Sequence, residues 1–284
     1  MIKENMNLGM IPGDTLIDKA RKRAGTWGRT EKFSSGDKFL DEYLGGGYGR
    51  ENGYEILTIF GDTGQNKSTL MTQMILEPAL AGYKVAYLAL EDDPEDVVNR
   101  IDKQIPGDGM MHENQLKLAL QNIRFLPEND GYTLGRMAEV VEELFNTYDI
   151  VAIDPIQFIF EASVAEKGET EFNRQRLFMR QMNNVLKKKN KTLILVSHTN
   201  KGGTQKDRKD AGMFKIIGSS AIAQVSTKVL EIGRDSEGVR GIHLWKSRFT
   251  PFRRTGFQVD LTDRMRIEGV YVTPQEQADA RSLW

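Results

Sequence analysis

The chain of 284 residues contains no cysteine, which excludes disulfides and thiolate-bound metals from its chemistry. No apolar run approaches the ~20 residues that a helix needs to cross a bilayer, and the opening segment from Met1 to Asn7 lacks the charged-then-apolar layout of a secretory signal. The expectation is a cytoplasmic protein without a membrane span. A net charge of −1 gives no global attraction to nucleic acid, so such binding would have to come from local basic segments. Internal repeats and low-complexity tracts are also missing. What is present is ordinary for a folded domain, with 39% hydrophobic and 28% charged residues. The length suits one large α/β domain with a short appendage.

Residues 1–33 are polar and basic and read as an N-terminal arm, either a solvated terminus or a linker helix docking on a neighbouring subunit. The core spans 34–272. It opens with a short helix ending at Gly45, Gly46 and Gly47, and then apolar runs alternate with helical patterns. Runs at 54–60, 85–90, 123–126, 150–153 and 192–196 are separated by amphipathic stretches, which predicts a mostly parallel twisted sheet covered by helices on both faces. After residue 226 the runs at 229–232, 241–245 and 257–261 are linked by Gly- and Pro-containing turns and predict a C-terminal antiparallel extension. Residues 273–284 read as a polar tail.

The strongest motif follows the first apolar run. Gly61, Asp62, Thr63, Gly64, Gln65, Asn66, Lys67, Ser68 and Thr69 write a strand, a phosphate-sized loop and a helix start in succession, the layout of a nucleotide-binding P-loop. Backbone N–H groups at a helix N-terminus would hold the phosphates of ATP or another NTP. Lys67 would reach the β- and γ-phosphates, and the Ser68 hydroxyl would take one position on Mg²⁺. The pattern G-x-x-x-x-G-K-[ST] is met except at Asn66, which stands where the second glycine belongs. Asparagine tolerates positive φ better than other side chains, so the turn can form and binding should survive better than fast turnover.

Other chemistry-bearing residues sit where strands end, the edge at which open α/β sheets collect ligands. Asp154 terminates the run at 150–153, in the position of a carboxylate orienting Mg²⁺ opposite Ser68. Glu91 ends the run at 85–90 and is placed as general base for an attacking water, with a capping cluster as the alternative; Asp92 and Asp93 are expected to cap the helix opened by Pro94. His198 follows the run at 192–197, where it or Ser197 could sense the γ-phosphate. The next segment concentrates Lys201, Lys206, Arg208, Lys209 and Lys215 among glycines, which suits tracking a phosphate backbone or is simply a solvated charge run. Lys246 and Arg248 sit in a further basic stretch, whose guanidinium groups could be supplied to an adjacent subunit's site or form a plain basic turn.

In this order the elements resemble the RecA-like motor domain of the superfamily 4, DnaB-like hexameric replicative helicases, over roughly residues 34–262, and the acidic string at 91–93 is similar to plasmid-type members. The resemblance implies a role for Glu91, Asp154 and Ser197-His198 at one nucleotide site, identifies Gln224 with the family's polar sensor, and matches Lys246-x-Arg248 to a finger pair inserted into the neighbouring subunit. It implies an ATP-dependent DNA helicase of DNA replication, working as a homo-oligomer, expected as a hexamer, on single-stranded DNA through channel loops. Only a short arm precedes the motor, so priming or loading would come from a separate primase or loader. Two rivals stand beside it: a RecA- or RadA-like recombinase or mediator, and a slow nucleotide-binding scaffold or loader.

Overall fold

The computed structural model describes residues 32–49, 53–127, 134–161, 171–199, 220–235, 237–248 and 256–270. These residues form one sheet flanked by helices. In chain order the elements are α1 (Lys38–Tyr43), β1 (Glu55–Gly61), α2 (Lys67–Leu80), β2 (Val85–Ala89), α3 (Pro94–Gln104), α4 (Gly109–Asn122), β3 (Ile123–Pro127), α5 (Leu134–Thr147), β4 (Ile150–Asp154), α6 (Gln157–Glu161), α7 (Glu171–Lys189), β5 (Thr192–His198), α8 (Ser220–Val225), β6 (Lys228–Arg234), β7 (Arg240–Ser247), β8 (Gly256–Leu261) and β9 (Ile267–Gly269).

The strand order is β3-β2-β4-β5-β1-β6-β7-β8-β9. The first six in this order run parallel and the remaining three join antiparallel, so the sheet is mostly parallel with an antiparallel extension as expected, but the run at 229–232, expected in that extension, is β6 and lies parallel to β1. β1 lies between β5 and β6, and every one of its residues is buried. That is why Ile56, Leu57, Ile59 and Phe60 follow one another with only Thr58 between them instead of alternating with polar residues. The alternation survives in which side of the sheet each residue feeds. Leu57, Ile59, Tyr87, Ala152, Ile194 and Leu230 pack with α1, α2, α3 and α4 on one face. Ile56, Phe60, Leu88, Ile153, Leu195 and Val229 pack with α5, α6, α7 and α8 on the other. The helical stripe Met137, Val141 and Phe145 and the methionines Met179 and Met182 are fully interior.

α2 is almost wholly buried, and Leu70, Met71, Met74, Ile75 and Leu76 are without exposure. At ~1.5–3 kcal/mol per fully buried side chain this helix is a principal anchor of the fold. It carries Pro78 within its last turns, and proline has no N–H to give the carbonyl four residues earlier. That carbonyl, of Met74, is instead taken by the buried Tyr48 hydroxyl at 2.5 Å. Burial holds the phenol well above its usual pKa, so it remains a donor.

The sheet's two rims have different chemistry. At the rim where the six parallel strands begin, Lys228 Nζ lies 3.1 Å from Glu55 Oε2, each side chain 1% exposed. Lys228 also donates to Gly47 O at 3.3 Å, and Gly49 N–H donates to Glu55 Oε1 at 3.1 Å, so the pair fixes the glycine-rich stretch that leads into β1. At the opposite rim, where these strands end, lie the P-loop and the carboxylates.

Candidate nucleotide site

The P-loop starts where β1 can go no further as an ordinary strand. A Cβ on Gly61 would stand 2.1 Å from the Ile232 carbonyl oxygen of neighbouring β6, so only glycine fits there. Gly64 is needed for a different reason. A Cβ there would meet nothing within 4 Å, but its φ is +79°. Asn66 has φ 68° and ψ 33°, the left-handed conformation that the glycine of the pattern would supply, so the expectation that asparagine sustains the turn agrees with its geometry. Its carbonyl accepts the first helical bond of α2, from Leu70 N–H at 3.0 Å. The first N–H groups of α2 have no partner within the helix, and the helix dipole adds positive potential at this end.

Lys67, the first residue of α2, is 5% exposed and donates from Nζ to the Asp62 carbonyl at 2.9 Å. Burial lowers its pKa, against the pull of Asp154, Glu91 and Asp62. Asp154 and Glu91 therefore both act on Lys67 at a single rim. The Asp62 carboxylate is bonded by the Thr199 hydroxyl, which ties the loop to the end of β5.

Asp154 ends β4 and is buried. Its Oδ2 accepts from the Tyr87 hydroxyl at 2.6 Å, while Oδ1 is buried with no hydrogen-bond partner among the described residues. Burial raises the Asp154 pKa, and the hydroxyls of Tyr87 and Ser68 offset part of that rise. The carboxylate is thus braced on one oxygen, with Ser68 alongside. An orphaned carboxylate oxygen and a serine hydroxyl at the mouth of an amide-lined loop form an oxygen donor set that fits Mg²⁺ carrying several waters and a phosphate. Tyr87 lies 67 residues from Asp154 in the sequence and was not legible as a site residue.

Glu91 and His198 meet. Glu91 Oε2 is 3.5 Å from His198 Nε2, with side chains 47% and 21% exposed, so Glu91 faces solvent. Next to it the expectation for Asp92 fails: it pairs with Arg100 at 2.7 Å, well inside α3, instead of capping. Asp93 occupies the N-cap position but makes no side-chain cap bond. Ser197 is buried and accepts from Gln157 Nε2 at 2.6 Å, which joins the end of β5 to the segment following β4.

Gln224, Lys246 and Arg248 fall elsewhere. Lys246 pairs with Val229, and Val229 with Thr58, three residues before Gly61. Arg248 N–H bonds Thr227 O, whose own N–H bonds Ile56 O, five residues before Gly61. At about 3.3 Å per residue, Arg248 is displaced ~17 Å along the strand direction from the chain's own P-loop, toward the opposite rim. There Lys246 Nζ donates to the carbonyls of Ala223 and Gln224, both at 2.7 Å, and Arg248 also donates to Gln224 O. Cations at the C-terminal carbonyls of a helix are favourably placed. Burial and the nearby Arg248 nonetheless bring the Lys246 pKa down to about 8. The Gln224 backbone therefore belongs to this second cluster and not to the P-loop rim. The predicted DNA-contacting residues Lys201, Lys206, Arg208, Lys209 and Lys215 lie outside the described residues, as do the arm through residue 31 and the tail.

The family model described as "ATPase: KaiC" matches residues 33–277. Among curated proteins, the DNA repair and recombination protein RadB of Methanococcoides burtonii is 26% identical over 221 residues, 78% of this chain and 91% of RadB. The DNA repair protein RadA of Chlamydia trachomatis is 25% identical over 210 residues, 73% of this chain but only 39% of RadA. Among solved structures, an ATPase domain superposes with a TM-score of 0.71 at 14% identity, covering 92% of this chain and all of that one. A KaiC-like protein of Pyrococcus horikoshii OT3 superposes at 0.62 with 17% identity, covering 85% of this chain and all of that one. No described helix is long and apolar enough to cross a membrane. The chain therefore belongs to the KaiC ATPase family, as a RecA-like P-loop ATPase domain.

Proposed function

We propose that the chain is an ATP-driven single-stranded DNA translocase and helicase acting in DNA replication, with each hydrolysis site completed by a neighbouring copy in a homo-oligomeric ring, expected as a hexamer. The observation that carries this reading is the division of parts between rims. Lys67, Ser68, Asp154, Glu91 and His198 gather at one rim, while Lys246 and Arg248 lie toward the other, out of reach of their own P-loop. Cations that cannot serve their own site can serve the next one in a head-to-tail arrangement.

In this mechanism the residues from Gly61 to Thr69 wrap the phosphates, and Lys67 exchanges the Asp62 carbonyl for phosphate oxygens. Ser68 and Asp154 would hold Mg²⁺, which supplies Lewis-acid neutralisation of phosphate charge. Glu91 accepts the proton of the attacking water and His198 orients Glu91. The neighbour's Arg248 and Lys246 leave the carbonyls at the end of α8 to meet charge developing on the transferred phosphoryl group. Lys201, Lys206, Arg208, Lys209 and Lys215 would grip the DNA backbone as hydrolysis proceeds around the ring.

The test is hydrolysis of ATP with and without single-stranded DNA, with unwinding of a forked duplex. Glu91→Gln should lower DNA-stimulated turnover by roughly 10²–10⁴-fold while nucleotide still binds. Mixed assemblies of Glu91→Ala and Arg248→Ala subunits should recover activity that neither has alone, and stable mixtures with none would refute shared sites. A second reading, a RadA- or RadB-like recombination protein, is supported by the sequence relatives. It predicts filaments on DNA, where electron microscopy would otherwise find rings. A slow nucleotide-binding scaffold or loader, motivated by Asn66, predicts nucleotide affinity without DNA-stimulated turnover.

A further inference from the structure

The one position at which the P-loop departs from its pattern is held by a side chain 174 residues away. Asn66 Oδ1 accepts a hydrogen bond from Arg240 Nη2 at 3.0 Å. Asn66 is the N-cap residue of α2, yet its side chain makes no bond to its own helix. Asparagine at an N-cap ordinarily bonds the helix's first N–H groups. Here the carboxamide oxygen is engaged from outside the loop, and those N–H groups are left for a ligand.

Arg240 is placed to do this by topology. It opens β7 and pairs with Arg234, the last residue of β6, at the rim where β1 delivers the P-loop. Its Nε is buried and has no hydrogen-bond partner among the described residues. Arg234 is engaged separately, donating to Gly238 O at 2.6 Å. Asp260 acts on Arg240 through space without forming an ion pair among the described residues, so the guanidinium charge is left largely unneutralised beside the phosphate loop.

We infer that Arg240 is a positioning residue of the nucleotide site, supplied by the chain to its own P-loop, and that Asn66 and Arg240 together replace the missing glycine. The tether holds residue 66 in the left-handed turn and keeps its carboxamide from swinging into the phosphate cradle. The guanidinium adds positive potential to that of Lys67 for a nucleoside di- or triphosphate. A glycine at position 66 would reach the same backbone conformation unaided and would offer Arg240 nothing to hold. The two residues should therefore be energetically coupled, with Arg240 far less important when position 66 is glycine.

The inference rests on the nucleotide-binding half of the function proposed above, and equilibrium binding reads it whether or not DNA stimulates turnover. Fluorescent ADP analogue would be titrated into wild type, Arg240→Ala, Asn66→Gly and the double variant, with Arg240→Gln as a neutral side chain able to keep a hydrogen bond to Asn66. Loss of a charge-assisted bond predicts roughly tenfold weaker binding for Arg240→Ala, with a shallower salt dependence, and a much smaller loss for the same change in the Asn66→Gly background. Arg240→Gln should retain part of the affinity but share the shallower salt dependence. Thermal unfolding of each variant identifies any that is not folded, and Arg240→Gln then stands in for Arg240→Ala in the cycle. Equal losses in both backgrounds, or none in either, would overturn the tether while leaving nucleotide binding intact. A folded wild type that binds no nucleotide would overturn the functional reading itself.

Discussion

Replacing Tyr87 by phenylalanine removes one buried oxygen from β2 and tests how Asp154 is kept usable. The Tyr87 hydroxyl donates to Asp154 Oδ2 at 2.6 Å, both residues are buried, and Oδ1 has no hydrogen-bond partner of its own among the described residues. Burial keeps the phenol well above its usual pKa, so it donates at any accessible pH. A hydrogen bond to an ionised acceptor is worth ~1.5–3 kcal/mol, against ~1 kcal/mol for a neutral one. The pH dependence follows from linkage. Asp154 has a folded pKa above its unfolded one, so between the two values the folded state holds more protons and stability falls as pH rises. Tyr87→Phe removes a group that restrains this rise, so the folded pKa moves further up and the fall deepens. Urea unfolding should show a deficit of about 1.5–3 kcal/mol at pH 8 that shrinks toward about 1 kcal/mol as the carboxyl protonates in acid. In parallel, nucleotide affinity should drop in Mg²⁺ and stay unchanged in EDTA, because the carboxylate is braced for a cation and not for the phosphates. A deficit that is the same at every pH, or an equal loss of affinity in EDTA, would refute the reasoning and leave only a packing effect.

Breaking the interior ion pair with Glu55→Ala or Lys228→Ala should cost about 3–5 kcal/mol in chemical denaturation, because a buried charge is left alone. Replacing both with leucine should recover part of the loss, and a double variant as unstable as the worse single would contradict this. Gly61→Ala, with its Cβ driven against the Ile232 carbonyl, should prevent folding or displace β6. Gly64→Ala should fold with a penalty of about 1–2 kcal/mol from backbone strain alone, and equal melting temperatures for the two would refute the distinction. The Lys246 pKa of about 8 lies below the ordinary lysine value, so the unfolded state holds more protons between the two and stability should rise with pH above 8. Lys246→Met should flatten that rise, which pH-dependent unfolding would detect. Tyr48→Phe should cost about 1–3 kcal/mol by stranding the Met74 carbonyl that Pro78 cannot serve, and the same change should become nearly neutral in a Pro78→Ala background.

Much of the fold was readable because local patterns and tertiary placement agree. Buried parallel strands leave continuous apolar runs, and Gly61, Lys67, Asp154, Glu91 and His198 mark where those runs end. What escaped depends on partners far apart in sequence or on weak local signals. α4 buries only Ala119 among its residues, so it leaves no apolar stripe to read. β9 has three residues and is defined by its partners: Gln73 receives the Ile267 N–H at 2.6 Å and donates to the carbonyls of Ser35 and Ile267. Asp92 beside a helix start looks like a cap until Arg100, eight residues on, competes for it. A tyrosine in an apolar strand looks like core, and only the register of β2 with β4 brings its hydroxyl to a carboxylate. Asn66 read alone predicts a turn that forms and binds better than it turns over, and nothing nearby in sequence announces Arg240.

β7 runs against its parallel neighbours, so a single strand from Arg240 to Ser247 reaches from one rim of the sheet toward the other. At one end it braces the chain's own phosphate cradle; at the other it presents Lys246, with Arg248 just beyond. Under the function proposed above, the P-loop rim is a socket and these cations a plug on the opposite side, and a twofold partner cannot satisfy both, since joining two copies strands one plug and one socket. Each added copy repeats the mismatch, and it ends only when the last plug meets the first socket.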